Sequence, residues 1–190
     1  MGVSDRKIRQ RAEREQRIVA TARMIATNEG WAAVTIRRLA DEIEYSQPVL
    51  YSHFENRDAI VAAVAVLGFA ELAAVIGDAA ALLADRRTAL FNVAVAYLDF
   101  ASSNPALYEA MFTMPTGLEF ATATTQPELR AAFAALAAVI APISSDTELA
   151  TETFWAILHG LAALERSGRI RQAARNERLA LVTDGLFNTP

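Results

Sequence analysis

Two short apolar stripes, on helices only four residues apart, constrain this 190-residue chain more than any other feature. Ile36, Leu39, Ala40 and Ile43 fall at helical spacing, and so do Val49, Leu50 and Phe54, with Glu44–Gln47 between the two helices. A further stripe precedes them: Ile18, Ala22 and Ile25 stand at i, i+4 and i+7. Three brief amphipathic helices of this kind can close a small core, here sealed by Trp31 and Val34. Two of them joined so tightly form a helix-turn-helix. Strand-like alternation is scarce, whereas alanine and leucine, both strong helix formers, dominate.

The expected fold is therefore all-α, with about nine helices near 5–28, 36–43, 48–53, 57–83, 87–103, 105–113, 127–141, 146–167 and 174–187. Several ends carry a physical signal. Gly30 can take the left-handed conformation that closes a helix. Thr35 and Asn56 are placed to cap the helices that follow. Asn104-Pro105 and Gln126-Pro127 each put a proline in a first turn, where its missing N–H is not needed. Residues 113–126 read as a loop. The domain division expected is 1–56 for a three-helix head, with 1–12 either a flexible basic arm or a solvated helix face. Residues 57–190 form a larger helical bundle.

Composition removes several function classes. Without cysteine there is no disulfide scaffold, thiol nucleophile or zinc finger, and His53 and His159 are too few for a histidine metal cluster. No metal or cofactor is expected. No nucleophile elbow, P-loop, dinucleotide fingerprint or His-Glu-x-x-His occurs, so an enzyme is not expected. The wholly apolar or glycine runs, 59–70 and 131–143, are shorter than a membrane span, and no secretory leader is recognisable. A cytoplasmic chain without membrane association is the expectation. The net charge of −4 excludes a polycation, so a nucleic-acid surface has to be local. Residues 1–60 hold 10 basic and 9 acidic side chains, with six of the basic ones before residue 18.

The helix near 48–53 has the chemistry for a DNA groove. A B-form major groove admits one α-helix. Pro48 restrains the residue before it, which makes Gln47 the expected cap, with Ser46 the alternative. Gln47 can hydrogen-bond base edges and Pro48 can meet a thymine methyl. Tyr51, Ser52 and His53 offer donors to phosphate, as do Thr35 and Arg37 at the start of the preceding helix. Arg57 opens the next helix, whose N-terminus itself attracts anions.

Residues 35–60, TIRRLADEIEYSQPVLYSHFENRDAI, resemble the helix-turn-helix signature of the TetR family of transcriptional repressors. The likeness runs through Gly30-Trp31, Leu39-Ala40, Ser46, Leu50-Tyr51, His53-Phe54 and the basic residue 57 before Asp58-Ala59-Ile60. It implies phosphate contacts from Thr35, Tyr51, His53 and Arg57, and base reading by Gln47 and Pro48. The family often places glycine in the turn, where this chain has Glu44-Tyr45. A left-handed glutamate costs roughly 1–2 kcal/mol, so a different turn conformation is expected.

The second half reads as a ligand-binding and dimerising domain. Phe154, Ile157, Leu158, Leu161 and Leu164 share one wide face of the helix near 146–167. The last helix adds Leu186. Together they suggest a four-helix interface across a two-fold axis, which the resemblance also implies. Trp155, His159 and Gly160 resemble the Trp–His–Gly motif of one TetR C-terminal subgroup. His159 either faces a ligand or is a core histidine. Phe100, Tyr108, Met111, Phe112, Phe133, Trp155 and His159 are candidate pocket residues. The expected function is a homodimeric repressor that holds a palindromic operator in double-stranded DNA and is released by a small apolar inducer. The alternative is a helical protein-interaction module with a degenerate helix-turn-helix.

Overall fold

The computed structural model describes residues 3–81 and 85–187. These contain nine α-helices, two 3-10 turns and no strand. The helices are α1 (Val3–Glu29), α2 (Ile36–Ile43), α3 (Gln47–Tyr51), α4 (Arg57–Ala81), α5 (Arg86–Ser103), α6 (Pro105–Phe112), α7 (Pro127–Ile140), α8 (Thr147–Arg166) and α9 (Arg175–Phe187). The last two residues expected for α4 lie outside the described residues.

The ends follow the sequence signals. Gly30 has φ 82° and ψ 164°, a region open essentially to glycine, and so ends α1. The Thr35 hydroxyl accepts from the Arg38 N–H at 3.0 Å, and the Asn56 side chain accepts from the Ala59 N–H at 2.9 Å. Pro105 and Pro127 open α6 and α7.

Packing divides the chain into two compact units. The first comprises Met1–Gly68 and Asn104–Thr122, the second Phe69–Ser103 and Ala123–Pro190. This line falls elsewhere than the 56/57 division read from the sequence, because α6 packs with the head. The Trp31 indole N–H donates to the Ala106 carbonyl at 2.8 Å, and Arg23 donates to the Asn104 side chain at 3.2 Å. A Cβ on Gly68 would stand 2.6 Å from Met111 Sδ, so the bare glycine sets how closely α4 and α6 approach.

The core of the first unit holds Ile18, Ala22, Ile25, Val34, Leu39, Leu50 and Ile60, all inaccessible to solvent. The second unit centres on Leu90, Val93, Tyr97, Phe154, Leu158 and Leu179. By length and hydropathy α4 alone among the described helices is apolar enough to cross a membrane. Its buried residues Ile60, Val64, Leu72 and Ile76 recur at helical spacing, however, which marks a core helix.

Candidate nucleic-acid interface

The head is built by α1, α2 and α3. Leu39, Ala40 and Ile43 turn the inner face of α2 into the core, and Leu50 anchors α3. Between them the chain turns at Glu44, whose φ of 58° and ψ of 38° are left-handed. The Tyr45 N–H donates back to the Ala40 carbonyl at 3.0 Å. The turn therefore keeps the conformation that glycine usually supplies, contrary to the expectation of another geometry. Its stability cost is borne by a non-glycine residue. One motive for reading this helix-turn-helix as degenerate, the missing turn glycine, disappears with it.

Ser46, in extended conformation, precedes α3 as its cap residue, and Gln47 is the first helical residue. The expected cap at Gln47 is thus displaced by one position. Proline disfavours helical geometry in its predecessor, but Gln47 adopts it and Pro48 still falls within the first turn. With Leu50 inside, Gln47, Pro48, Tyr51 and Ser52 all face solvent, as do Thr35, Arg37 and Ser46. Tyr51 is 53% exposed, large for an aromatic ring.

Two expected phosphate ligands are occupied elsewhere. The His53 side chain is only 5% exposed, and its Nδ1 faces Glu15 Oε1 of α1 at 3.2 Å. Arg57 donates through Nε to the Val34 carbonyl at 2.6 Å and through Nη2 to the Trp31 carbonyl at 2.7 Å. Both side chains act as struts, His53 buried and Arg57 about one-third exposed beside Asp58. His53 ties the end of α3 to α1, and Arg57 ties the start of α4 to the segment before α2. The structure instead brings two arginines of the basic start of α1 beside α3. Arg11 Nη2 donates to the Ser52 carbonyl at 3.3 Å, and the Arg17 guanidinium stands 5.5 Å from the Tyr45 ring centroid. Of the two readings of 1–12, the helix face agrees with the structure, in which α1 is helical from Val3 onward; Met1 and Gly2 lie outside the described residues.

The ligand candidates separate by unit. Tyr108 and Met111 are buried in the first unit, where Tyr108 packs on Phe112 with ring centroids 4.6 Å apart. Phe100, Phe133, Trp155 and His159 belong to the second. There the Trp155 indole donates to the hydroxyl of buried Tyr97 at 3.1 Å, and Phe133 meets Trp155 edge-on at 6.4 Å. Tyr97 was missed because its partner lies 58 residues away in the chain. His159 is half-buried. Burial, and then the charge of Arg166, hold its imidazole below the ordinary histidine value.

The dimer candidates divide likewise. Phe154 and Leu158 are wholly buried in their own unit, so they are core residues and present nothing to a partner. Ile157, Leu161 and Leu186 are half-buried, and Leu164 is exposed. The wide stripe on α8 is therefore two faces, one turned inward and one outward.

A helix-turn-helix head with a polar second helix projecting from an apolar core defines a DNA-binding regulator. The family described as bacterial regulatory proteins, tetR family, matches residues 18–64, and the tetracyclin repressor-like C-terminal domain matches residues 90–184. The HTH-type transcriptional regulator Rv0681 of Mycobacterium tuberculosis is 31% identical over 157 residues, covering 80% of this chain and 69% of the relative. The fold recurs in a TetR variant of Acinetobacter baumannii solved with minocycline, with a TM-score of 0.62, 18% identity and coverage of 90% and 92% of the two chains. It recurs also in the TetR family regulator PfmR of Thermus thermophilus, with a TM-score of 0.59, 20% identity and coverage of 92% and 95%. The chain belongs to the TetR family of transcriptional regulators, which bind DNA and are not enzymes.

Proposed function

We propose that this regulator is a cytoplasmic homodimeric repressor that grips a palindromic operator and lets go when a small apolar molecule enters its second unit. The observation that carries the reading is the outward face of α3, where Gln47, Pro48 and Tyr51 are exposed above a buried Leu50. Gln47 and Pro48 meet base edges, while Tyr51, Ser52, Ser46, Thr35 and Arg37 hold phosphates.

Support for dimerisation comes from α8 and α9. Leu164 and Leu181 are 39% and 75% exposed, and a Cβ at Gly160 or Gly185 would meet nothing within 4 Å. Those bare positions let a second copy's helices come close. Support for a ligand comes from the half-buried aromatic group around Trp155, with Tyr97 and His159 as its polar groups, and from the minocycline complex of the Acinetobacter relative. The ligand has to prefer the DNA-incompetent arrangement, because equal affinity for both shifts nothing.

Footprinting on the DNA beside the chain's own gene tests the reading. The expected result is a protected palindrome whose half-sites lie about 34–36 Å apart or a multiple of that. Gln47→Ala relaxes base preference there. Leu164→Asp with Leu181→Asp yields monomers in sedimentation and abolishes the footprint. A folded dimer that shifts no DNA at low salt would sink the proposal.

A further inference from the structure

The start of α1 runs ahead of the core into which the rest of the helix packs. Residues 5–14 are all exposed, and the first buried residue of the helix is Ile18. They are also where the positive charge of the molecule is concentrated. Residues 5–17 carry six basic and three acidic side chains, whereas the rest of the chain carries twelve and nineteen.

The charges are sorted around the helix. At 3.6 residues per turn, Arg6, Lys7, Gln10, Arg11, Arg14 and Arg17 fall within an arc of about 140°. Asp5, Glu13 and Glu15 all lie outside that arc, and so does Arg9. The edges of the arc touch both ends of the recognition element. Arg17 lies against Tyr45, just before α3, and Arg11 reaches the Ser52 carbonyl, just after it. The stripe, whose edge residue Arg11 also pairs with Glu15 at 2.9 Å, therefore borders α3. From Arg11 to Val3 the helix continues for roughly 12 Å, about the width of a major groove.

We infer that this stripe is a second DNA-contact surface, gripping the phosphates that flank the groove α3 enters. It adds sequence-independent affinity and leaves base reading to α3. The inference rests on DNA binding through α3, and its test separates the two.

The probe is a labelled mixed-sequence duplex of about 30 base pairs, followed by fluorescence anisotropy with the full chain from about 50 to 200 mM salt. Arg14→Ala, on the stripe, is compared with Arg9→Ala, which removes the same charge from the opposite side of the same exposed helix. Arg14→Ala is expected to lower the salt slope by about 0.9 and weaken binding several-fold. Lys7→Ala with Arg14→Ala is expected to lower it by about twice that. Arg9→Ala is expected to leave the slope unchanged. Equal losses from Arg9→Ala and Arg14→Ala would reduce the stripe to long-range charge and overturn the inference. An unchanged slope in the double variant, with Tyr51→Ala still weakening binding, would overturn it while leaving α3 as the DNA reader. No binding by the wild-type chain would remove the reading on which it rests.

Discussion

The two units secure their polar groups in opposite ways. In the head, neutral backbone carbonyls are met by long side chains: Trp31 reaches Ala106, and Arg57 reaches Trp31 and Val34. In the second unit a carboxylate is buried. Glu165 of α8 is 6% exposed and lies between two arginines of α9, 2.6 Å from Arg175 Nη2 and 2.6 Å from Arg178 Nη2. Arg175 continues to Asp99 of α5 at 2.8 Å, and Arg178 donates to the Arg171 carbonyl at 2.7 Å. The head should lose less when a donor is removed, because a carbonyl carries no net charge. The second unit depends on every member of a charged set, because removing one strands the others in a poorly solvated place.

The largest expected effect follows directly. Glu165→Gln should destabilise the chain by about 3–5 kcal/mol in a urea titration, since the partly buried Arg178 guanidinium loses its counter-charge and Arg175 keeps only the exposed Asp99. A loss below about 1 kcal/mol would mean the cluster behaves as a surface pair and the contrast fails. Arg57→Ala comes next. It should cost about 1–3 kcal/mol, since the Val34 carbonyl loses the guanidinium and the Trp31 carbonyl keeps only the Val34 N–H, and leave the salt slope of DNA binding unaltered. A slope lower by about 1 would return Arg57 to the phosphates. Glu44→Gly should raise stability by about 1 kcal/mol, because glycine adopts the left-handed turn without strain. A lower denaturation midpoint would show that the glutamate side chain contributes more than its backbone costs.

The smallest effect is pH-dependent. The imidazole of His159 is held below its ordinary value of 6.5, first by burial and then by Arg166. The unfolded chain therefore binds the proton more readily. Stability is highest above pH 6.5 and falls as pH drops from there toward the folded value. His159→Gln should flatten that limb of the stability–pH curve. An equally steep limb in the variant would assign it to another group.

Where the determinants are local, the sequence was a sufficient guide. Thr35, Asn56, Pro105 and Pro127 act within a few residues of themselves, and the helices they bound start within one residue of expectation. The outward face of α3 was legible for the same reason, since Leu50 alone decides its orientation. His53 and Arg57 were not legible as struts, because their partners lie 38 and 23 to 26 residues away in the chain. Phe154 and Leu164 were read onto one face because hydrophobicity reports that a face is covered, but not by which chain. The Glu165 cluster carries no local signature at all: three charged residues at ordinary spacing look like solvated helix surface.

The chain's two tryptophans are divided evenly by the packing. Trp31 sits in the first unit with its N–H on a backbone carbonyl, and Trp155 sits in the second with its N–H on a phenol. Each indole is thus a built-in optical label for one unit. With Trp155→Phe the ultraviolet emission of the protein reports on the DNA-reading end alone, and with Trp31→Phe on the other end alone. Melting or titration of either half can then be followed in the intact molecule without attaching a dye.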